Sequence, residues 1–277
     1  MSEVNSNVEP VGYRVLAEGG MGEVQVWVGD CRVVVPQMVA EGSVDLVFAD
    51  PPFNIGRKYE KWNDRMEADA YESFTQQWMA EMLEALRPGG AMWVNAPDEH
   101  VSMFDQNARG FGFDRVNWCV WHYRFGQHTH TKFINSHSHV LYFVKPGGIR
   151  TWNGGEILEA SDRASKYGDE RTLNKVEGEP GRRVPLDVWA GPGWGRVQGN
   201  NKERVEGQDN QLPEIYLERV IRSTSRVGDL VLDPFLGGGT TAVVGRQLGR
   251  RVVGVEIGED AAKRAAERVV RGSIRVK

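Results

Sequence analysis

The chain lacks the features that mark secreted, metal-stapled or membrane proteins. Only two of its 277 residues are cysteine, Cys31 and Cys119, and their separation fits no metal motif, so a disulfide scaffold and a zinc finger are both excluded. No apolar run approaches the roughly 20 residues that cross a bilayer, and residues 1–10 are polar and acidic rather than a signal peptide. We therefore expect a cytoplasmic protein with no membrane partner and a frayed tail over residues 1–10.

An excess of positive charge is also missing. The net charge is −4, which argues against indiscriminate coating of nucleic acid and leaves room for a local basic groove. Hydrophobic residues at 40% and charged residues at 26% are typical of a globular protein rather than a disordered one. The length predicts one enlarged domain, or one domain with an insertion.

The apolar pattern predicts an α/β fold, because strands and helices alternate along most of the chain. Such alternation favours right-handed crossovers and a three-layer sandwich around a mostly parallel sheet. The pattern predicts strands at residues 24–28, 44–49, 91–95, 116–123, 139–144, 230–233 and 252–256, and helices at 69–87, 213–225, 240–248 and up to about 271. Between residues 145 and 204 it dissolves into glycine, proline and charged residues, which indicates an insertion or a long functional loop.

A glycine-rich turn follows the strand that ends at Asp233. Glycines at 237–239 let a ligand approach the backbone, and Glu256, at the end of the next strand, can hydrogen-bond two ribose hydroxyls. The turn has no GxxxxGK[ST] lysine and no GxGxxG spacing, and Asp233 would repel a pyrophosphate while attracting a cationic group. A nucleoside-containing cofactor with a positive charge fits; the alternative is a plain turn between a strand and a helix.

A second motif, Asp-Pro-Pro-Phe-Asn, follows the buried strand that ends at residue 49. Pro51 and Pro52 fix the turn, so that the Asp50 carboxylate and the Pro51 carbonyl become two fixed acceptors beside the apolar ring of Phe53. That set suits a planar substrate with an amino group, such as a nucleobase out of its stack. The alternative is a tight turn with an incidental aspartate.

Together the two motifs resemble those of the DNA amino-methyltransferases that use S-adenosylmethionine. Their order, with the catalytic motif first and recognition sequence between, is that of the β group of N6-adenine and N4-cytosine methyltransferases, and the resemblance runs from about residue 29 to 268. It implies a Rossmann-like methyltransferase domain over residues 11–277 with a target-recognition region inserted at 145–205.

The resemblance also implies roles for individual residues. The flipped base would be held by Asp50, Pro51 and Phe53, on a turn that Pro52 helps to fix. The cofactor S-adenosylmethionine would meet Glu256 at its ribose, Asp30 and Cys31 near its adenine, and Asp233, Phe235, Gly237 and Gly239 at its methionine side. Two positions depart from the family pattern: Gly238 replaces a small polar residue, and residues 208–213 replace a His-Pro-x-Gln-Lys-Pro segment.

Several polar side chains are candidates for contacts with DNA. Four histidines at 128, 130, 137 and 139 invite a metal interpretation, but no cysteine or nearby acid completes a ligand set, so we expect no metal. We expect some of them, with Arg124 and Lys132, to face phosphates. The basic residues at 57, 58, 61 and 65 either close over DNA or lie in a solvated loop, and the aromatic residues at 118, 121, 142 and 143 are expected in the core.

The sequence thus predicts a site-specific methyltransferase that acts on double-stranded DNA, as a monomer or homodimer and with a cognate restriction endonuclease as an optional partner. Adenine N6 is favoured over cytosine N4 because aspartate heads the catalytic motif, where serine more often accompanies cytosine in this family. The alternatives are cytosine N4 itself, a non-catalytic DNA-binding protein of the same fold, and methylation of RNA or a protein amide. An intact Asp50, Phe53 and glycine loop count against the non-catalytic alternative.

Overall fold

The centre of the structure is a nine-stranded sheet. Our computed structural model describes residues 11–57, 61–62, 64–123, 126, 128–174, 179–208 and 210–276. The strands in this part are β1 Val11–Val15, β2 Val24–Val28, β3 Val44–Ala49, β4 Leu86–Ala96, β5 Asp114–His122, β6 His137–Val144, β7 Glu159–Ala160, β8 Arg182–Arg183, β9 Val188–Trp189, β10 Leu230–Asp233 and β11 Arg251–Glu256. The α-helices are α1 Cys31–Met38, α2 Ala68–Ala85, α3 Val101–Gly110, α4 Asp162–Ser165, α5 Glu170–Leu173, α6 Glu214–Thr224, α7 Thr240–Gln247 and α8 Glu259–Arg271, with a 3-10 turn at Gly154–Ile157.

The order of strands in the sheet is β1-β2-β11-β10-β3-β4-β6-β5-β9. The five strands from β2 to β4 in this order are parallel. Both β1 and β6 are antiparallel to their neighbours, and β9 is parallel to β5. The sheet is therefore mixed, with a parallel centre whose strands all end at one edge.

Apolar side chains alternate between the two faces of the sheet. Leu46 and Phe48 of β3 pack with α6, α7 and α8, whereas Val47 and Ala49 pack with α1, α2 and α3. Burial on both faces explains why β3 is a continuous apolar run rather than an alternating one. This three-layer arrangement confirms the predicted α/β fold. Among the described residues, no helix is long and apolar enough to span a membrane.

The boundary between α2 and β4 differs from the prediction. The helix spans Ala68–Ala85 rather than residues 69–87, and β4 begins at Leu86 rather than at residue 91. The segment Pro88-Gly89-Gly90 lies inside the strand, where Gly89, at φ 78°, donates its N–H to the Lys145 carbonyl at 2.8 Å. The same lysine donates from Nζ to two carbonyls at the end of α2, which satisfies groups that the helix leaves unpaired.

Residues 145–205 join the main domain at both ends: near the start, Asn153 donates from Nδ2 to the carbonyls of Arg222 and Ser225. β9 extends the main sheet beside β5, and the side chains of Trp189 and Trp194 are buried in the main core. The Arg219 guanidinium of α6 lies 4.3 Å from the centroid of the Trp194 ring. The rest of the region holds the β7–β8 pair and two short helices, α4 and α5. Its role in target recognition stays a prediction.

Candidate active site

A cavity opens at the edge of the sheet where β2, β3, β10 and β11 end. Open α/β sheets bind their ligands at this edge, because the loops after parallel strands converge there. We call it the site cavity. Every predicted site residue except Gly239 lines it: Asp30, Cys31, Asp50, Pro51, Pro52, Phe53, Asp233, Phe235, Gly237 and Glu256. Motifs that are far apart in the chain thus share one space.

Glu256 fixes the glycine loop on one side of this cavity. Its Oε2 accepts a hydrogen bond from the Gly237 N–H at 2.8 Å, and its Oε1 accepts one from the Gly258 N–H at 2.9 Å. Gly237 has φ 50°, a left-handed conformation that glycine adopts without steric cost. The loop therefore presents bare backbone to the cavity beside a carboxylate whose orientation is set.

Asp233 lies deeper in the same half and is only 2% exposed. Burial raises the pKa of its carboxyl group to about 7, against the hydrogen bonds from Thr241 and from the Phe235 N–H, and the carboxylates of Asp50 and Glu256 raise it further. A buried carboxylate among other carboxylates is stabilised by a cation. This half of the cavity is therefore suited to a positively charged group.

Asp30 and Cys31 lie where β2 passes into α1. The Asp30 carboxylate caps the helix by accepting the Arg32 N–H at 2.9 Å and also pairs with the Arg32 guanidinium. Burial raises the pKa of the Cys31 thiol, so the thiol is neutral and acts as a small apolar surface. The Gly29 N–H donates to the Glu256 carbonyl at 2.9 Å, which brings the ends of β2 and β11 together.

Gly239 is the one predicted site residue that does not line the cavity. It precedes α7 with φ 75°, and a Cβ added there would lie 2.9 Å from the Ala265 Cβ of α8. Contacts below 3.0 Å force a shift of the backbone or of a neighbour. The close packing of α7 against α8 is thus a structural reason for this glycine, and its predicted contact with the cofactor stays a prediction.

Asp50 stands in the other half of the cavity and belongs to a line of hydrogen bonds. Asn95 of β4 donates from Nδ2 to Asp50 Oδ1 at 2.8 Å, and Ser138 of β6 donates from Oγ to Asn95 Oδ1 at 3.0 Å. Burial raises the pKa of the Asp50 carboxyl group to about 6, opposed by the Asn95 hydrogen bond and by the charge of Arg196. One carboxylate oxygen is thus held by protein, and the other is left for a ligand.

Side chains from outside the motif hold the turn after Asp50 by hydrogen bonds. The Pro52 carbonyl accepts a hydrogen bond from the Tyr71 hydroxyl at 2.7 Å. Asp64, which is 2% exposed, accepts the N–H groups of Asn54, Ile55 and Arg57. These bonds fix the turn independently of any ligand, so the acceptors at its tip are set in advance.

Among the polar residues that line the cavity, sequence reasoning gave no role to Asn95, Ser138 and Arg196, and it noted Gln208 only within a segment that departs from the family pattern. The Arg196 guanidinium lies 4.0 Å from the centroid of the Tyr123 ring. Gln208 lies over the glycine loop, since a Cβ on Gly238 would come within 2.9 Å of its Cγ. Of these residues only Asn95 carried a signal, as a polar residue that ends an apolar strand.

A second space, which we call the outer cavity, adjoins the site cavity. Phe53, Arg57, Arg196 and Gln208 line both. The outer cavity is also lined by Gly126, Asn135, His137, Gln198 and Arg204, among others. Arg57 is the one residue of the predicted DNA-closing set that reaches these cavities, whereas Lys58 and Arg124 lie outside the described residues.

Two of the predicted histidines meet an acid that the sequence analysis did not foresee. His137 and His139 both approach Asp98 Oδ1 with Nε2, at 3.3 and 3.0 Å. Trp118 donates from Nε1 to His139 Nδ1 at 2.9 Å, so in the neutral ring Nε2 carries the proton. A metal would need a lone pair at that atom. The cluster is therefore better described as hydrogen bonds from histidine to aspartate than as a metal site.

Comparison with known proteins identifies similar chains over most of this length. The DNA methylase family of N6 and N4 methyltransferases matches residues 44–267. DNA adenine methyltransferase YhdJ of Escherichia coli (strain K12) is 31% identical over 247 residues, covering 87% of this chain and 81% of that protein. Type II methyltransferase M.HpaI of Haemophilus parainfluenzae is 30% identical over 230 residues, covering 83% and 69%.

Solved structures agree on the fold. TTHA0409 from Thermus thermophilus, in complex with S-adenosyl-L-methionine, superposes with a TM-score of 0.60 at 25% identity and covers 88% of this chain and 92% of that one. The PvuII DNA methyltransferase, which is cytosine-N4-specific, superposes with a TM-score of 0.64 at 16% identity and covers 92% and 88%. At that identity the second likeness concerns the Rossmann-like fold alone.

Proposed function

Because the chain belongs to the N6/N4 DNA methylase family, we propose that it transfers a methyl group from S-adenosylmethionine to adenine N6 at a specific site in double-stranded DNA. The observation that carries the proposal is that the Asp50 motif and the Asp233–Glu256 motif open into one cavity. Two substrates must meet at one point for a direct transfer, and this cavity is where both sets of predicted residues converge.

The cofactor is S-adenosylmethionine, as the sequence predicted, and the chain's own residues fit it. When bound, it supplies the methyl group on a positively charged sulfur. Asp233, buried and with its pKa raised, offers the negative charge that such a group needs. We propose that Gly237 and Phe235 border the methionine part, that Glu256 holds the ribose, and that Asp30 and Cys31 lie near the adenine.

The residues of the other half would hold the base by its amino group. An exocyclic amine is a poor nucleophile, because its lone pair is delocalised into the ring. We propose that Asp50 Oδ2 and the Pro51 carbonyl accept its two hydrogens, which would favour a tetrahedral nitrogen with a free lone pair. Asn95 keeps the Asp50 carboxylate in position, and Phe53 offers a face on which the base stacks. No covalent bond between enzyme and base is needed.

Adenine is favoured over cytosine by the aspartate that heads the catalytic motif. The relative YhdJ is named as an adenine methyltransferase, whereas the PvuII enzyme of similar fold acts on cytosine N4, so the fold does not choose between them. Both targets carry an exocyclic amine beside a ring nitrogen, and a site built on two acceptors reads that edge. Discrimination then depends on the shape of the cavity.

The methylated nucleoside in the product identifies the target base. Genomic DNA from cells that express the chain, examined by long-read methylome sequencing, gives the recognition sequence. A duplex that contains this sequence is then incubated with purified protein and labelled cofactor, and its nucleosides are separated by mass spectrometry. We expect label in N6-methyladenine. Label in N4-methylcytosine alone would overturn the adenine assignment and keep the mechanism, and label in RNA or protein alone would overturn the function.

A matched variant separates chemistry from binding. We expect Asp50→Ala to lose nearly all methyl transfer while it binds the cofactor within several-fold of wild type, because Asp50 serves the base. Calorimetric titration in EDTA measures that binding. Near-normal turnover by this variant would contradict the role proposed for Asp50.

We also propose where and with what the enzyme works. An enzyme that acts on DNA works where the DNA is, which for bacteria such as those of the relatives is the cytoplasm. A partner restriction endonuclease follows the example of M.HpaI, which is named as a type II methyltransferase. Genomic DNA from an expressing strain that resists an endonuclease of the same recognition sequence would support that pairing.

A further inference from the structure

The loop between β5 and β6 projects from the domain and has no role in the function proposed above. We call the described residues 126 and 128–136 of this loop the finger. Its base is closed by the Tyr123 N–H, which donates to the Ser136 carbonyl at 3.0 Å. Gly126 and Asn135 approach so closely that a Cβ on Gly126 would overlap the Asn135 carbonyl. Of the described finger residues, all except 126, 129 and 136 are exposed, so the loop stands out from the domain.

Phe133 is the most exposed large apolar residue in the described part of the chain, at 96%. Its neighbour Ile134 is 44% exposed, whereas Tyr123, just before the finger, is 6% exposed. A single exposed apolar side chain needs no explanation by itself. Phe133 and Ile134 lie on the returning segment of the finger, where Ile134 faces Gly126. Their adjacent exposed side chains offer apolar surface of the kind that proteins insert as a wedge between base steps.

The position of the finger relates it to the base half of the site. Gly126, Asn135 and His137 line the outer cavity, and Phe53 and Arg196 lie in both cavities. The finger therefore stands at the entrance that leads to Asp50. A base that reaches the site cavity through the outer cavity passes the finger.

The charge of the surrounding segment matches a DNA partner. Residues 116–155 contain no aspartate or glutamate, although the whole chain has 38 acidic residues and a net charge of −4. Between residues 122 and 139, which flank and include the finger, the chain contains Arg124 and Lys132, with five histidines. Duplex DNA is thus not repelled from the finger by side chains of that segment.

We propose that Phe133 enters the base stack of duplex DNA and occupies the gap left by the flipped base. The inference rests on the proposed function, because only an enzyme that extrudes a base creates such a gap. Unstacking opposes extrusion, and an aromatic ring in the vacated position replaces part of the lost stacking. The partner is double-stranded DNA, and the residue acts on the flipping step rather than on the chemistry.

The experiment compares wild type, Phe133→Ala, Phe133→Trp and Val227→Ala in single-turnover methylation with saturating cofactor. Val227 is 75% exposed in the turn before β10, at the opposite edge of the sheet, and serves as the matched control. Two duplexes carry the recognition sequence, one with the target base paired and one with it mismatched. Because flipping a mismatched base costs less, dependence on a wedge should shrink there.

We expect Phe133→Ala to be slower than wild type by about tenfold on the paired duplex and by no more than about twofold on the mismatched one. Phe133→Trp should restore the rate on the paired duplex, and Val227→Ala should behave as wild type. When 2-aminopurine replaces the target base, its fluorescence should increase on binding of wild type and increase less on binding of Phe133→Ala.

Three results would overturn the inference. Equal rates for Phe133→Ala and Val227→Ala on the paired duplex would exclude the wedge. An equal loss on both duplexes would make Phe133 a general DNA contact instead. If the wild-type protein methylates neither duplex, the proposed function is overturned, and the inference with it. If the wild type is active and Phe133→Ala methylates at the same rate, only the inference is overturned.

Discussion

Replacing Asn95 by leucine tests how the fold prepares Asp50 for the base. The substitution removes the hydrogen bond that Asn95 donates to Asp50 Oδ1 at 2.8 Å and keeps a side chain of similar volume at a buried position. Ser138 loses its acceptor at the same time. The fold should survive, because leucine suits an apolar strand between two packed layers, and the change falls mainly on the carboxylate.

The size of the effect follows from that one bond. A hydrogen bond to a charged group contributes about 1.5 to 3 kcal/mol, and one pKa unit corresponds to about 1.4 kcal/mol. Burial already raises the pKa of Asp50 to about 6, and the Asn95 bond opposes that rise. Without it the pKa should rise by about one to two more units. Activity that needs the ionised carboxylate should therefore begin to fall at a higher pH in the variant.

The assay is single-turnover methyl transfer between pH 5.5 and 9.5 with saturating cofactor and DNA. Wild type should lose activity as the pH falls through about 6, and Asn95→Leu as it falls through about 7 to 8, with much of the rate recovered at pH 9. Ser138→Ala, which only frees Asn95 to rotate, should shift the acid limb less. Asp233 also titrates in this range, so cofactor affinity is measured at each pH to separate the two groups.

An unchanged acid limb in Asn95→Leu would refute the reasoning. A rate that falls equally at every pH would mean that Asn95 orients Asp50 without affecting its charge. A shift toward lower pH would contradict the sign of the argument, since loss of a donor to a carboxylate can only favour its protonated form.

Three further variants test the cofactor half. Gly237→Val should lose cofactor binding in calorimetry by at least about 100-fold, because valine strains a backbone at φ 50° and its side chain would occupy the space that we propose for the cofactor. Gly239→Ala should instead lower the free energy of unfolding in urea by about 1 to 3 kcal/mol, because of its φ of 75° and the contact with Ala265. The folded variant should bind the cofactor within several-fold of wild type. Loss of binding by the folded variant would support the predicted cofactor contact. Asp233→Asn should raise the free energy of unfolding at pH 8 by up to about 4 kcal/mol, since the native pKa stands about 3 units above the ordinary value. This gain in the free energy of unfolding should shrink as the pH falls from 7 toward 4, because the wild-type carboxyl group becomes protonated first in the folded chain and then also in the unfolded chain. Equal stability of Asp233→Asn and wild type at pH 8 would contradict the burial argument.

The parallel centre of the sheet could be predicted because its strands are buried on both faces. The bounds of β2, β3 and β10 in the structure are those that the apolar runs indicate. Since β10 and β3 are neighbours, the residues that follow them had to meet, and Asp50 and Asp233 do. Local sequence determined these elements because a continuous apolar segment has few other ways to be buried.

The supporting residues could not be predicted, because their roles depend on pairings that are distant in sequence. Ser138 reaches Asn95 only since β6 is antiparallel to β4, and nothing local in either segment specifies that pairing. Arg196 and Gln208 lie in a stretch with little regular structure, where no periodicity guides an expectation. Helix α1 was missed because it is short and contains Pro36, and the structure tolerates that proline inside it.

The two motifs act as one electrostatic unit although the chain separates them widely. Burial raises the pKa of both carboxyl groups, and the charge of Asp50 raises the pKa of Asp233 further, whereas the charge of Arg196 lowers the pKa of Asp50. A cationic ligand beside Asp233 would relieve the repulsion between the two carboxylates and lower the pKa of both groups, which would favour the ionised Asp50 that we propose for the base site. The strands β3 and β10 are neighbours in the sheet, so we expect their adjacency to do more than place two substrates side by side. It should also couple the charge of the cofactor to the ionisation of Asp50.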